Sequence, residues 1–113
     1  MLELIAKNYL DKELKVPCYM EEPINPPDEY ILIEKLGGSE KNQLLNGRLA
    51  FQSYSTSLYN AAQLNEKLKK VLKNMILLDS ISKVSLNSDY NFTDPQTKRY
   101  RYQAVYDFYY YDN

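Results

Sequence analysis

Residues 99–111 read RYRYQAVYDFYYY, and the conformation given to them decides the architecture. Side chains of an extended chain alternate between two faces. Tyr100, Tyr102, Ala104, Tyr106, Phe108 and Tyr110 therefore fall on one side, and Arg101, Gln103, Val105, Asp107, Tyr109 and Tyr111 on the other. The first face is almost wholly aromatic. The stretch is long enough for a central strand of about ten residues. Its rings have three possible uses: to cover a sheet with their hydroxyls at the wet rim, to give a partner contact area at low entropic cost, or to stack on bases.

Working outward, DYNFTDPQTK (89–98) is the turn that feeds this strand, and ISKVSLNS (81–88) alternates Ile81, Lys83 and Ser85 against Ser82, Val84 and Leu86 as a neighbouring strand would. Upstream lies the clearest helix. STS (55–57) supplies hydroxyl caps, and Leu58, Ala61, Ala62, Leu64, Leu68, Val71, Leu72 and Met75 mark one face, opposite Glu66, Lys67, Lys69, Lys70 and Lys73. RLAFQSYS (48–55) sets Leu49, Phe51 and Ser53 against Arg48, Ala50, Gln52 and Tyr54, and EYILIEK (29–35) has strand composition; between them GGSEKNQLLNG (37–47) reads as a polar, glycine-bounded loop. VPCYM (16–20) is a brief strand ended by Pro23, Pro26 and Pro27, which forbid regular pairing. Leu2, Ile5, Ala6, Tyr9 and Leu10 recur at helical spacing, and Pro17 closes that first helix. The order is α-β-β-β-α-β-β without internal repeats. It implies one α+β domain over residues 1–113, with a mainly antiparallel or mixed five-stranded sheet and two helices packed on one face.

Composition sets the function classes. At 113 residues, 44% hydrophobic and 26% charged, the chain suits one globular domain able to build a core without staples. Cys18 is the only cysteine, and MLELIAKNYLDKELK carries charges throughout, so a reducing compartment and no secretory leader are expected. No run approaches the roughly 20 apolar residues of a membrane span. A net charge of −1 gives no global field toward phosphate backbones.

Catalytic constellations are hard to assemble from these residues. Histidine is absent, which removes the commonest general base and metal ligand. Cys18 has neither a histidine nor a second thiol to activate it and reads as a small buried hydrophobe. Glu21 and Glu22 are adjacent on an extended chain and point apart. Asp89, Asn91 and Thr93 copy the first, third and fifth positions of a calcium loop, but the sixth is Asp94 instead of glycine and the twelfth is Tyr100 instead of glutamate. The Asn91-Phe92-Thr93 glycan acceptor has meaning only on a secretory route. RYQAVYDF also lacks the glycine and ring spacing of an RNA-recognition strand. No enzyme activity, cofactor or metal is expected; the alternative that survives is a small nucleic-acid-binding module using the tyrosine-rich face.

VPCYMEEPINPPDEYILIEKLGG, AFQSYSTSLYNAAQLNEKLKKVL and LNSDYNFTDPQTKRYRYQAVYDF, taken in succession, resemble the tail terminator proteins of long-tailed bacteriophages and prophages of Gram-positive bacteria. The likeness covers nearly the whole chain and is one of overall pattern. It implies a small α+β subunit that assembles as a hexameric ring on the last ring of the tail tube, stops polymerisation and offers a head-tail joining surface. Tail-tube and connector proteins would be the partners. The location would be the head-proximal end of the virion tail, after assembly in the host cytoplasm. Binding surfaces usually sit on scaffold-held loops, so contacts are expected on the segments 37–47 and 89–98, with Glu40, Lys41, Asn42, Asp94 and Gln96 as candidates, joined by the outward Tyr109 and Tyr111.

Overall fold

The computed structural model describes residues 1–111. In chain order the elements are α1 (Leu2–Glu13), β1 (Cys18–Tyr19), β2 (Tyr30–Lys41), β3 (Leu44–Tyr54), α2 (Leu58–Lys73), a single 3₁₀ turn (Asn74–Leu77), β4 (Ile81–Asn91) and β5 (Arg101–Tyr110). The sheet runs β1-β2-β3-β5-β4. The short β1 pairs parallel to β2, and every other pairing is antiparallel. This is the expected mixed five-stranded α+β fold, with both helices on one face. Because β3 and β4 are each antiparallel to β5, they run parallel to one another. The segment from β3 through α2 to β4 is thus a split crossover, with β5 filling the gap beneath α2.

Local chemistry explains the boundaries. The α1 helix buries Leu2, Ala6 and Leu10, one residue per turn. It closes where the Leu14 N–H reaches Leu10 O, and Lys15 then takes a positive φ of 60° that turns the chain out of the helix. At the start of α2 the Ser57 hydroxyl accepts from the Asn60 N–H at 3.0 Å, and Ala61, Leu64, Asn65, Leu68 and Leu72 face the sheet. Opposite them lie Ile31, Ile33, Leu49, Phe51, Ala104, Tyr106, Phe108 and Tyr110. The even-numbered rings of the C-terminal strand are therefore core from position 106 onward, with Phe51 edge-on to Tyr106 and Phe108.

Three segments depart from the sequence reading. The stretch 37–47 is no loop: β2 and β3 continue through it as one hairpin and turn only at Asn42 and Gln43, whose φ values of 52° and 68° fit a two-residue turn that matches the strand twist. Its glycines make room within a sheet. Gly38 faces Gly47 across the ladder, and a Cβ on Gly47 would come 2.5 Å from Leu2 Cδ2, so that glycine lets the first turn of α1 lie close on β3. Likewise, Asp89, Tyr90 and Asn91 belong to β4, and the turn itself is confined to 95–98, closed by a bridge between Asp94 and Arg99. In β4 itself simple alternation fails. A bulge between Ile81 and Lys83 resets the pleat, placing Ile81, Val84 and Leu86 opposite Tyr110, Phe108 and Tyr106 on the helix side.

Candidate interface on the open sheet face

No helix covers the other face of the sheet, yet its centre is closed. Ala50, Gln52, Tyr54, Gln103 and Val105 are all buried there. Register makes this possible: Tyr30 lies opposite Tyr54, Gln52 opposite Gln103, Ala50 opposite Val105 and Tyr90 opposite Gln103. Aromatic, amide and guanidinium groups from four strands consequently meet on one surface.

The hydrogen bonds form a directed chain. Arg101 Nη1 donates to the Tyr54 hydroxyl at 2.6 Å, which donates to Gln52 Oε1 at 3.3 Å. Gln52 Nε2 then donates to Gln103 Oε1 at 2.8 Å, and Gln103 Nε2 donates to the Tyr90 hydroxyl. Each buried amide is used in both directions, and a fully satisfied network of this kind fixes side-chain positions. The Tyr30 and Tyr54 rings stack with centroids 4.5 Å apart. The Arg99 guanidinium carbon lies 4.9 Å from the Tyr54 centroid, and that of Arg101 lies 4.4 Å from the Phe92 centroid.

Beside this network Glu22 reaches in from the segment after β1. Tyr30 Oη donates to Glu22 Oε1 at 2.6 Å, and Arg99 Nη2 donates to the same oxygen at 2.6 Å and to the Tyr30 hydroxyl. Burial opposes ionisation of Glu22, but the donors from Arg99 and Tyr30 outweigh it and hold the carboxyl below its usual range. Burial, with the Glu22 hydrogen bond second, pushes the Tyr30 hydroxyl strongly upward. The proline-rich segment and the β4–β5 turn are thereby clamped to the sheet.

At the hairpin end the same face is open and polar. Arg48 Nε donates to Asp107 Oδ1 at 2.7 Å, Asn87 Nδ2 donates to Asp107 Oδ2 at 3.1 Å, and the Lys83 ammonium lies 5.4 Å from the Tyr109 ring centroid. The Arg48 hydrogen bond holds Asp107 below the usual carboxylate range. A concavity of about 490 Å³ runs over Gly38, Arg48 and Tyr109, and another of about 550 Å³ over Lys41, Asn42, Tyr109 and Tyr111.

The residues singled out from sequence thus divide between two ends. Glu40, Lys41 and Asn42 at the hairpin tip are exposed and belong to the same end as Tyr109 and Tyr111. Tyr109 and Tyr111 both face outward, at 37% and 46% exposure. Asp94 and Gln96 sit in the turn at the opposite end, where Asp94 Oδ1 accepts the Gln96 N–H at 2.9 Å and so shapes the turn. The calcium-like residues have local partners as well. Asp89 accepts from Asn65 Nδ2 at 2.7 Å and from Lys69 Nζ at 2.5 Å, while Asn91 Oδ1 accepts the Thr93 N–H at 3.0 Å. Among the described residues no cluster of three or more Cys, Asp or Glu is placed to hold a metal. Cys18 is buried, and that burial pushes its thiol up to about 12. No helix among the described residues is long and apolar enough to cross a membrane.

Sequence reasoning missed Glu22, Tyr30, Gln52, Tyr54, Tyr90, Arg99, Arg101 and Gln103 as one unit. The visible signal was the non-core side of RLAFQSYS and of RYRYQAVYDF, where amides and arginines occupy places that ordinary solvated strands give to any polar residue. Neither a protein-family model nor a curated protein sequence matches the chain.

Proposed function

We propose that the protein is a structural assembly subunit of the tail-terminator kind, which forms a ring on the end of a phage tail tube, ends its growth and presents a surface for head joining. The observation that supports it best is the uncovered sheet face. At its hairpin end, where Tyr109 and Tyr111 are exposed, Arg48, Asn87 and Asp107 are already ordered by their own hydrogen bonds, so a partner docking there meets little side-chain entropy cost. The sheet also ends in exposed strands, since β1 pairs with Ile31 and Leu32 only and leaves the rest of β2 as a free edge. Such surfaces suit protein partners. The sequence resemblance points to which ones, and heterologous contacts that close into a ring leave no lateral surface for further growth.

The nucleic-acid alternative relied on the aromatic side of the C-terminal strand. Tyr106, Phe108 and Tyr110 are buried in the core below the helices and offer no face to a base. On the open side, Tyr30 and Tyr54 are stacked on each other, and the guanidinium groups of Arg99 and Arg101 lie over the Tyr54 ring. Both observations favour protein docking.

Electron microscopy of particles made without the protein tests the proposal. Overlong or headless tails are expected, rescued by the wild-type chain and poorly by a Tyr109→Ser/Tyr111→Ser variant that still folds; tails of normal length joined to heads would overturn it.

A further inference from the structure

Two separate surfaces of the domain are complementary. On the β4 side, α2 lies over β3 and β5 and leaves the margin uncovered, so a groove of about 520 Å³ opens between α2 and β4. Its floor is apolar, with Val84 half-buried and Leu86 and Ile76 exposed at 47% and 43%. Its rim is basic. Glu66 and Asp89 pair with Lys69, and Lys70 and Lys73 form no ion pair among the described residues.

The segment between β1 and β2, held at the strand ends by Tyr30, Ser55 and Arg99, has the reverse character. Ile24 is 95% exposed, the most exposed large apolar side chain among the described residues, and Glu21, Glu22, Asp28 and Glu29 surround it in sequence. The segment is held in shape. Pro23, Pro26 and Pro27 restrict its backbone, Glu22 is tied to Tyr30 and Arg99, and Glu29 accepts the Ser55 hydroxyl at 2.9 Å. Glu21 and Asp28 remain as exposed carboxylates without an ion pair among the described residues. An exposed aliphatic tip on a rigid acidic segment has little to gain within its own chain and much to gain in an apolar pocket rimmed by lysines.

We propose that the occupant of the α2–β4 groove is a second copy of this chain, which inserts Ile24 over Leu86 and Ile76 and sets Glu21 and Asp28 against Lys70 and Lys73. Since Ile24 and the groove are different patches of one subunit, the contact is heterologous and propagates from subunit to subunit until it closes. The inference rests on the ring reading above for its closure and adds the surfaces that make the lateral contact.

Mixing two variants that each add one cysteine, Ile24→Cys and Leu86→Cys, with a short bismaleimide gives the direct test. Buried Cys18 stays silent. A cross-linked heterodimer that neither variant forms alone is expected, in solution or with tail-tube protein present. In sedimentation, Lys70→Glu/Lys73→Glu should weaken self-association by about tenfold or more, and mixing it with Glu21→Lys/Asp28→Lys should restore it. All four changes are at exposed positions and leave the core intact. Rings that form without this cross-link and ignore the charge reversal would overturn the docking mode but leave the ring reading standing. The cross-link in chains whose loss leaves tails normal would support the docking and remove the ring reading. Absence of self-association even with tube protein would overturn the docking.

Discussion

The two faces of the sheet are both closed to water at their centres, but by different means. Beneath the helices the closure is apolar, with Leu49, Phe51, Leu68, Leu72 and Phe108 at or below 1% exposure. On the open side Gln52 and Gln103 are also nearly inaccessible, at 5% and 6%, with no layer above them. The first face is stabilised by area removed from water, which is non-directional. Directional bonds order the second. Apolar packing accounts for a stable domain, whereas the hydrogen-bonded network fixes the positions of side chains that apolar contact alone would leave free.

The contrast can be broken first on the helix side. Phe51→Ala removes a fully buried ring that touches Tyr106 and Phe108, and a loss of about 3–5 kcal/mol in urea unfolding is expected, a large part of the stability of a small domain. A loss below about 1 kcal/mol would mean that the core is not organised around this ring.

On the open face the expected effect is smaller and cooperative. Gln103→Leu strands the Gln52 amide donor and should cost about 1–3 kcal/mol. Combining it with Gln52→Leu should cost less than the sum of the two single changes, because the shared bond is lost only once. Strict additivity would show that the amides act independently.

The smallest effect is in the acid limb of the stability curve. Glu22 is held below its ordinary value, so its contribution is fully present above the unfolded-state value of about 4.3 and is lost as pH falls through the folded-state value. Glu22→Gln should lower stability slightly across the neutral region and leave the acid end, where the carboxyl is already protonated, almost unchanged, so that the acid limb flattens, as followed by thermal melts against pH. An unchanged acid limb would show that Arg99 and Tyr30 do not hold the carboxylate.

The succession of elements, the apolar stripe of α2 and the two sides of the last strand are legible in residue order alone. In each case a periodic pattern runs long enough for one face to be visible without knowledge of its neighbours. Tertiary structure decided what lay beyond that range. Gly37, Gly38 and Gly47 looked like breakers, although Gly47 serves the approach of Leu2 from the other end of the core, a contact that local propensity cannot express. A bulge of one residue moved Ile81 onto the same side as Val84 and Leu86. Tyr30, Gln52, Tyr54, Tyr90, Arg101 and Gln103 became one surface only when four strands were set in register, since hydrogen bonds between side chains depend on positions that distant parts of the chain fix together.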